Sequence, residues 1–258
     1  MKEFFGIGGY AREPEGYLSW QHLTFVSLLM IAMIALAVFL GLRNKCRDSK
    51  AKNAVLVWAA ILIDGFEIFK IILNCSQDPT AWQTNLPLFL CSIQLITIPL
   101  AAFTRGRVKE AALDFVCIFG LLGAVLGTIG AGQNYNAYPV LSFPNVVSGI
   151  THCISGFASL YIMVSGMISM KRQNMWITFS ILGFFCASAM VANKLLDYNY
   201  MFLRSHDGTP YSMFYDLVGG HPILYPAVVI LLFLLYITIF YLVYFLIQKR
   251  KAAHLPPA

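Results

Sequence analysis

Seven apolar runs, each nearly long enough or more than long enough to cross a bilayer, alternate along this chain with short polar connections. A hydrocarbon layer ~30 Å thick asks for about 20 such residues in a spanning helix. The pattern therefore predicts a membrane bundle before any single residue is weighed. The runs are read at 23–42, 54–74, 86–103, 110–130, 148–170, 174–196 and 223–247. The first, LTFVSLLMIAMIALAVFLGL, holds no charge at all. Composition agrees: 59% of the 258 residues are hydrophobic and 12% are charged, where a soluble domain carries about a quarter charged residues. The expected fold class is all-α, a polytopic helical bundle forming a single seven-span domain over 1–258, with no soluble domain beside it.

The formal charge of +6 does not mark a nucleic-acid surface, because the basic residues sit in the connections between runs. Thirteen of them fall on one side: Arg43, Lys45, Arg47, Lys50, Lys52, Arg105, Arg107, Lys109, Lys171, Arg172, Lys249, Arg250 and Lys251. Only Lys2, Arg12 and Arg204 fall on the other. The positive-inside rule then puts the N-terminus outside and the C-terminus in the cytoplasm of a multi-pass protein of the cell membrane. The first twenty residues include Lys2, Glu3, Arg12, Glu13 and Glu15, so no cleavable signal peptide is expected.

Cys46, Cys75, Cys91, Cys117, Cys153 and Cys186 form no CxxC pair and show no metal spacing with histidine. Neither a disulfide framework, a metal nor a cofactor is expected. In the fourth run, Gly120, Gly123, Gly127 and Gly130 recur at three- and four-residue steps, which predicts a packing seam and no chemistry. The longer connections, 75–85, 131–147 and 197–222, are external and rich in aromatics and turn formers. Loops of this length fold over a site or stay irregular.

An ionisable group inside a spanning helix costs a few kcal/mol, so each one calls for a reason. Asp64, Glu67 and Lys70 follow at i, i+3 and i+6 in the second run, which lets Glu67 and Lys70 pair. A self-neutralised pair that only fixes packing is one reading; a polar cavity or proton relay is the other. At 1.5 Å per residue, Glu67 and Lys70 lie ~6–10 Å below the external end of their run, and Cys91 lies ~8 Å below that of the third. His152 falls at a similar depth in the fifth. Asn193 and Lys194 sit near the external end of the sixth, just ahead of Asn199 and Tyr200 in the last loop.

Cys91 and His152 make the sharpest pair, since a thiol becomes a nucleophile as thiolate and an imidazole is the usual acceptor of its proton. A cysteine on an apolar helix is otherwise an inert small hydrophobe, and a membrane histidine is often a packing residue. Cys153 points about 100° away from His152 around the helix and reads as packing. Ser92 and Thr151 are rival nucleophiles with no visible activator. His22 and His254 read as solvated residues near the membrane surface. His206 and His221, fifteen residues apart in the last external loop, make a poor metal signature.

Three stretches carry a resemblance. NLPLFLCSI (85–93) resembles the LPLHLCSI motif of the YwaF-like bacterial membrane proteins. NYMFLRSHDGTPYSMFYDLVGGHPILY (199–225) resembles that family's NYMFL…P…S…GxWPxY segment, and the Glu67–Lys70 pair also fits. The chain departs from the pattern at Phe89, which replaces the first His, and at Gly219-Gly220-His221-Pro222, which replaces Gly-x-Trp-Pro. The YwaF-like proteins are similar to eukaryotic transmembrane acyltransferases that load ether lysophospholipids, and more remotely to androgen-induced membrane hydrolases. The resemblance implies a nucleophile and a histidine on separate helices, mapping to Cys91 and His152, and membrane lipids as partners. A lysolipid or an acyl ester would be the substrate.

Two functions are therefore expected to compete. One is a lipid-acyl transferase or hydrolase using Cys91 and His152, with Gln94, one turn after Cys91, near the oxyanion. The other is a small-molecule or lipid binding or transport protein whose polar pocket gathers around Asp64, Glu67, Lys70 and Lys194. A retinal-type photoreceptor is disfavoured, because the seventh run has no Lys before its cytoplasmic end.

Overall fold

The computed structural model describes residues 2–253, with side chains to residue 250. Every regular element among the described residues is helical. The helices are α1 (Trp20–Asn44), α2 (Ser49–Gln77), α3 (Gln94–Phe103), α4 (Gly106–Thr128), α5 (Gly132–Ala137), α6 (Phe143–Ser165), α7 (Arg172–Leu196), α8 (Ser212–Leu217) and α9 (Leu224–Ala253). Single 3₁₀ turns occur at Ala81–Thr84 and Tyr200–Phe202. The described residues divide into two compact units, one ending at Ile168 and the other beginning at Ser169.

Five helical stretches are long and apolar enough to cross a membrane: α1, α4 continued into α5, α6, α7 and α9. The second run is also a long helix, α2, but it carries Asp64, Glu67 and Lys70 in its apolar part. The third differs from expectation. Only Gln94–Phe103 is α-helical, and 86–93 is a set of turns in which the Ile93 N–H reaches the Phe89 carbonyl at 3.1 Å. Pro87 lies at the head of these turns, where its missing N–H costs no helical bond. The fifth run begins earlier than read, at Phe143, with Pro144 in its first turn. It stops at Ser165 because Gly166 turns left-handed, with φ 73°.

In the first unit, α4 and α6 pack together most extensively, α1 lies on α6, α3 lies on α4, and α2 contacts both α3 and α6. All residues of α4 from Ala111 to Gly120 are buried, so α4 is the central helix. The small residues allow backbones to touch. A Cβ on Gly120 would meet the Ser155 carbonyl oxygen at 2.6 Å, and one on Gly156 would meet Ala124 Cβ at 2.6 Å. Helix α1 instead buries one stripe (His22, Val26, Met33, Ala37, Gly41, Asn44) and leaves Leu28, Ile31, Leu36 and Phe39 exposed. An apolar outer face of this kind is stable against lipid tails and costly against water.

Hydrogen bonds bring the basic ends of these helices together. Asn44 donates to the Tyr161 hydroxyl at 3.1 Å, and Tyr161 donates to the Lys52 carbonyl at 3.0 Å. Asn53 donates to the Ala102 carbonyl at 2.8 Å and accepts from Lys109. Arg43, Lys45, Arg47, Lys50, Lys52, Arg105, Arg107 and Lys109 thus share one end of the unit. The opposite end gathers the starts of α1, α3 and α6 and the finishes of α2 and α4.

His22 lies at that opposite end and corrects the solvated reading. It is fully buried, accepts at Nδ1 from the Leu18 N–H (3.1 Å) and donates from Nε2 to the Thr128 carbonyl (3.2 Å). Its ring lies 3.9 Å from that of Tyr135. His22 therefore clips α1 to the last residue of α4. His22→Ala is expected to cost about 1–3 kcal/mol, the penalty of a buried carbonyl left without its donor. An unfolding midpoint in detergent equal to that of the parent protein would show that the clip holds nothing. His254 lies outside the described residues.

In the second unit, α7 packs on α9, α8 packs on α9, and the turn at Tyr200–Phe202 packs on α7. The connection after α7 is ordered, carrying two left-handed residues in succession, Met201 and Phe202.

Candidate functional site

The break in the third run places Cys91. A ten-residue α3 reaches only ~15 Å, half of a hydrocarbon layer, and turns, not further helix, precede it. Non-helical backbone at membrane depth is tolerated only where protein or a water-filled cavity satisfies it, which is why such breaks mark binding and reaction sites. Cys91 sits three residues ahead of Gln94, the first residue of α3, and its carbonyl accepts from the Gln94 N–H at 3.3 Å.

His152 comes from the third turn of α6, nine residues after its start. Its Nδ1 lies 2.7 Å from the Ser148 carbonyl oxygen. A carbonyl can only accept, so Nδ1 carries the proton and Nε2 presents its lone pair. The Cys91 and His152 side chains lie close enough to interact, and the Ser92 side chain also lies beside Cys91. A thiol, an imidazole and a backbone carbonyl that fixes its tautomer are thus brought together.

Helix α4 forms the floor of this arrangement through two glycines one turn apart. A Cβ on Gly123 would lie 3.6 Å from Cys91 Cβ, an ordinary contact. One on Gly127 would lie 1.8 Å from His152 Cδ2 and 2.1 Å from Nε2. The imidazole occupies the space that any side chain at 127 would fill. The stripe expected to pack does pack, and part of what it packs against is the His152 ring and Cys91.

Helix α2 supplies charge. Lys70 Nζ lies 2.5 Å from Glu67 Oε1, with the two side chains only 19% and 13% exposed. The Lys70 charge reaches His152 electrostatically, and Asp64 feels Glu67 one turn away. Gln94 is fully buried; its Oε1 accepts from the Thr97 hydroxyl at 3.1 Å, while its Nε2 has no hydrogen-bond partner. Such an orphaned amide is a donor awaiting an acceptor. Thr151 donates to the Ser148 carbonyl at 3.1 Å, and Cys153 joins an apolar cluster with Met33 and Ala124. Among the described residues no group of three His, Cys, Asp or Glu could hold a metal ion.

The remaining candidates belong to the second unit and serve its loop. Asn193 is buried, donates to the Tyr200 carbonyl at 3.0 Å and accepts from the Tyr200 N–H at 2.5 Å. Asn199 donates to the Ser205 carbonyl (2.8 Å) and to Asp207 (2.7 Å) and accepts from the Arg204 N–H (2.9 Å). Tyr200 is buried, and Lys194 is exposed near the end of α7. His206 accepts from the Gly208 N–H, and His221 accepts from the N–H groups of Ile223 and Leu224, at the start of α9.

Sequence reasoning missed three contributors: Ser148, which sets the imidazole tautomer through its backbone; Gly127, which makes room for the ring; and the buried His22. The four-residue step from Ser148 to His152 was visible, but a backbone acceptor leaves no trace in residue type. The model of the TMEM164 family matches residues 17–247, almost the whole chain. No curated protein and no solved structure matches it.

Proposed function

The chain belongs to the TMEM164 family of membrane proteins, and from that premise we propose that it transfers or hydrolyses acyl groups of membrane lipids through Cys91 and His152. The supporting observation is that a thiol in the turns ahead of α3 and an imidazole whose other nitrogen is already committed lie side by side over the Gly123–Gly127 face of α4. In the first step His152 Nε2 takes the thiol proton and Cys91 Sγ attacks the ester carbonyl, forming a C–S bond. The C–O bond then breaks, and His152 returns its proton to the leaving alkoxide. In the second step a lysolipid hydroxyl or water gives its proton to His152 and attacks the thioester, which releases the thiol. The orphaned Gln94 amide is the proposed donor to the oxyanion. Glu67 and Lys70 are the proposed contacts for the polar part of the lipid.

The same reading takes the chain as one seven-span domain of the cell membrane, with α2 and the broken third run completing the count. The shared basic end faces the cytoplasm, which leaves the N-terminus outside and the reactive pair in the outer half. Resemblance to ether-lipid acyltransferases supports a lysolipid acceptor, and resemblance to membrane ester hydrolases supports water. Incubating the purified protein with an acyl-ester phospholipid in vesicles is expected to leave an acyl adduct on Cys91, seen by mass spectrometry and lost on treatment with hydroxylamine. An adduct on Ser92 alone would reassign the nucleophile.

A further inference from the structure

The segment ahead of α1 makes no regular element, yet it is tied down at several points to the end of the first unit that holds the reactive pair. The Phe143 N–H donates to the Phe4 carbonyl at 2.8 Å. The Val140 N–H donates to Glu15 Oε2 at 2.7 Å, and the Tyr17 N–H donates to Asn136 Oδ1 at 2.8 Å. Glu15 is also held by Arg12 at 3.1 Å. The Phe5 ring lies 6.4 Å from Phe69 of α2 and 5.2 Å from Phe143 of α6, bridging two helices whose own rings are 5.4 Å apart. Phe69 precedes Lys70 in the chain, and Phe143 stands ~13 Å above His152 along α6 at 1.5 Å per residue. At the other end of the segment, Tyr17 stacks against His22, which clips the end of α4 beside Gly127.

Between these anchors the backbone is built to turn. Gly6, Gly8, Gly9 and Gly16 all have φ between 68° and 94°, the region that side chains avoid. A Cβ on Gly8 or Gly9 would meet nothing within 4 Å, so glycine there serves backbone freedom and not packing. The outward side carries exposed Phe4 and Ile7, apolar residues suited to the lipid interface. A segment without regular structure, held by a few polar bonds and separate ring contacts at Phe4, Phe5, Tyr10 and Tyr17 with glycines between them, is of the kind from which lids are drawn.

We infer that residues 2–19 are a strap closed over the Cys91–His152 pair, which must swing off α2 and α6 before the polar part of a lipid can reach the thiol. The acyl-transfer reading supplies the identity of the ligand, and the closure itself rests on the contacts above. In this picture Phe5 is the plug and Glu15 the latch.

The test reads access to the thiol and needs no turnover. In the full chain carrying Cys46→Ser and Cys75→Ser, reconstituted in phospholipid nanodiscs, alkylation of Cys91 by a water-soluble maleimide is followed by mass spectrometry. Phe5→Ala is expected to raise the rate roughly tenfold, the effect of one lost anchoring interaction. Glu15→Gln, which keeps an acceptor for the Val140 N–H but loses the charge, is expected to raise it a few-fold. Glu13→Gln, an exposed change on the same segment, is expected to leave it alone. Glu15→Gln keeps the test informative if Phe5→Ala loosens the fold. Equal rates in the parent, Phe5→Ala and Glu15→Gln proteins would overturn the strap. If the rates rise but no acyl adduct ever forms, the strap stands and the acyl chemistry falls. Flat rates with a clear adduct remove the strap and keep the acyl chemistry.

Discussion

Cys91→Ala is expected to abolish acyl turnover, and His152→Ala to lower it by about 10²–10⁴-fold, the usual worth of a positioned general base. The asymmetry has a physical origin. Without Cys91 no covalent intermediate can form, whereas without His152 the thiol must lose its proton to water before it attacks. Neither change should unfold the protein. The thiol is small and lies on a turn, and loss of the imidazole frees the Ser148 carbonyl, which sits within a helix. The measurement is release or transfer of a labelled acyl chain by purified protein in vesicles, with the thermal midpoint recorded alongside. Turnover equal to the parent in both variants would remove the pair from the chemistry and leave Ser92 to be tried.

Gly127→Ala is expected to be nearly as damaging as His152→Ala, although alanine carries no chemistry. Its methyl would overlap the imidazole at 1.8 Å from Cδ2. The ring is tethered through Nδ1 to Ser148 at 2.7 Å, so it cannot move without breaking either that bond or its contact with Cys91. Turnover should fall about 10²-fold or more, with about 1–3 kcal/mol of lost stability from the forced shift. Gly123→Ala, one turn away on the same face, places its methyl 3.6 Å from Cys91 Cβ and should change turnover little. The comparison separates positioning from general helix packing, because both substitutions add the same methyl to the same seam. Equal effects of the two, large or small, would falsify the claim that Gly127 acts by making room for the ring.

The glycine stripe also shows how far local pattern reaches. Its spacing told that something approaches α4 closely; it could not tell that Gly120 meets the Ser155 backbone while Gly127 meets an imidazole. The Glu67–Lys70 pair was legible because i and i+3 are neighbours on any helix. His22 was misread because its position near the start of a run suggested water, whereas the Thr128 carbonyl and the Tyr135 ring that enclose it come from residues more than a hundred positions away. The late start of α3 had no local sign, because Pro87 suits the first turn of a helix as well as an irregular turn and hydropathy counts residues without asking whether their backbone is helical.

Hydropathy and charge placement are properties of the chain taken in order, because insertion into lipid weighs each segment against the bilayer with little regard to its neighbours. That is why membrane residence, helical class and the gathering of basic residues could be read directly. The meeting of Cys91 with His152 depends on how each helix is rotated about its axis and which helix it lies beside. Those angles come from side chains of different helices filling one another's gaps, and only the folded unit contains that information.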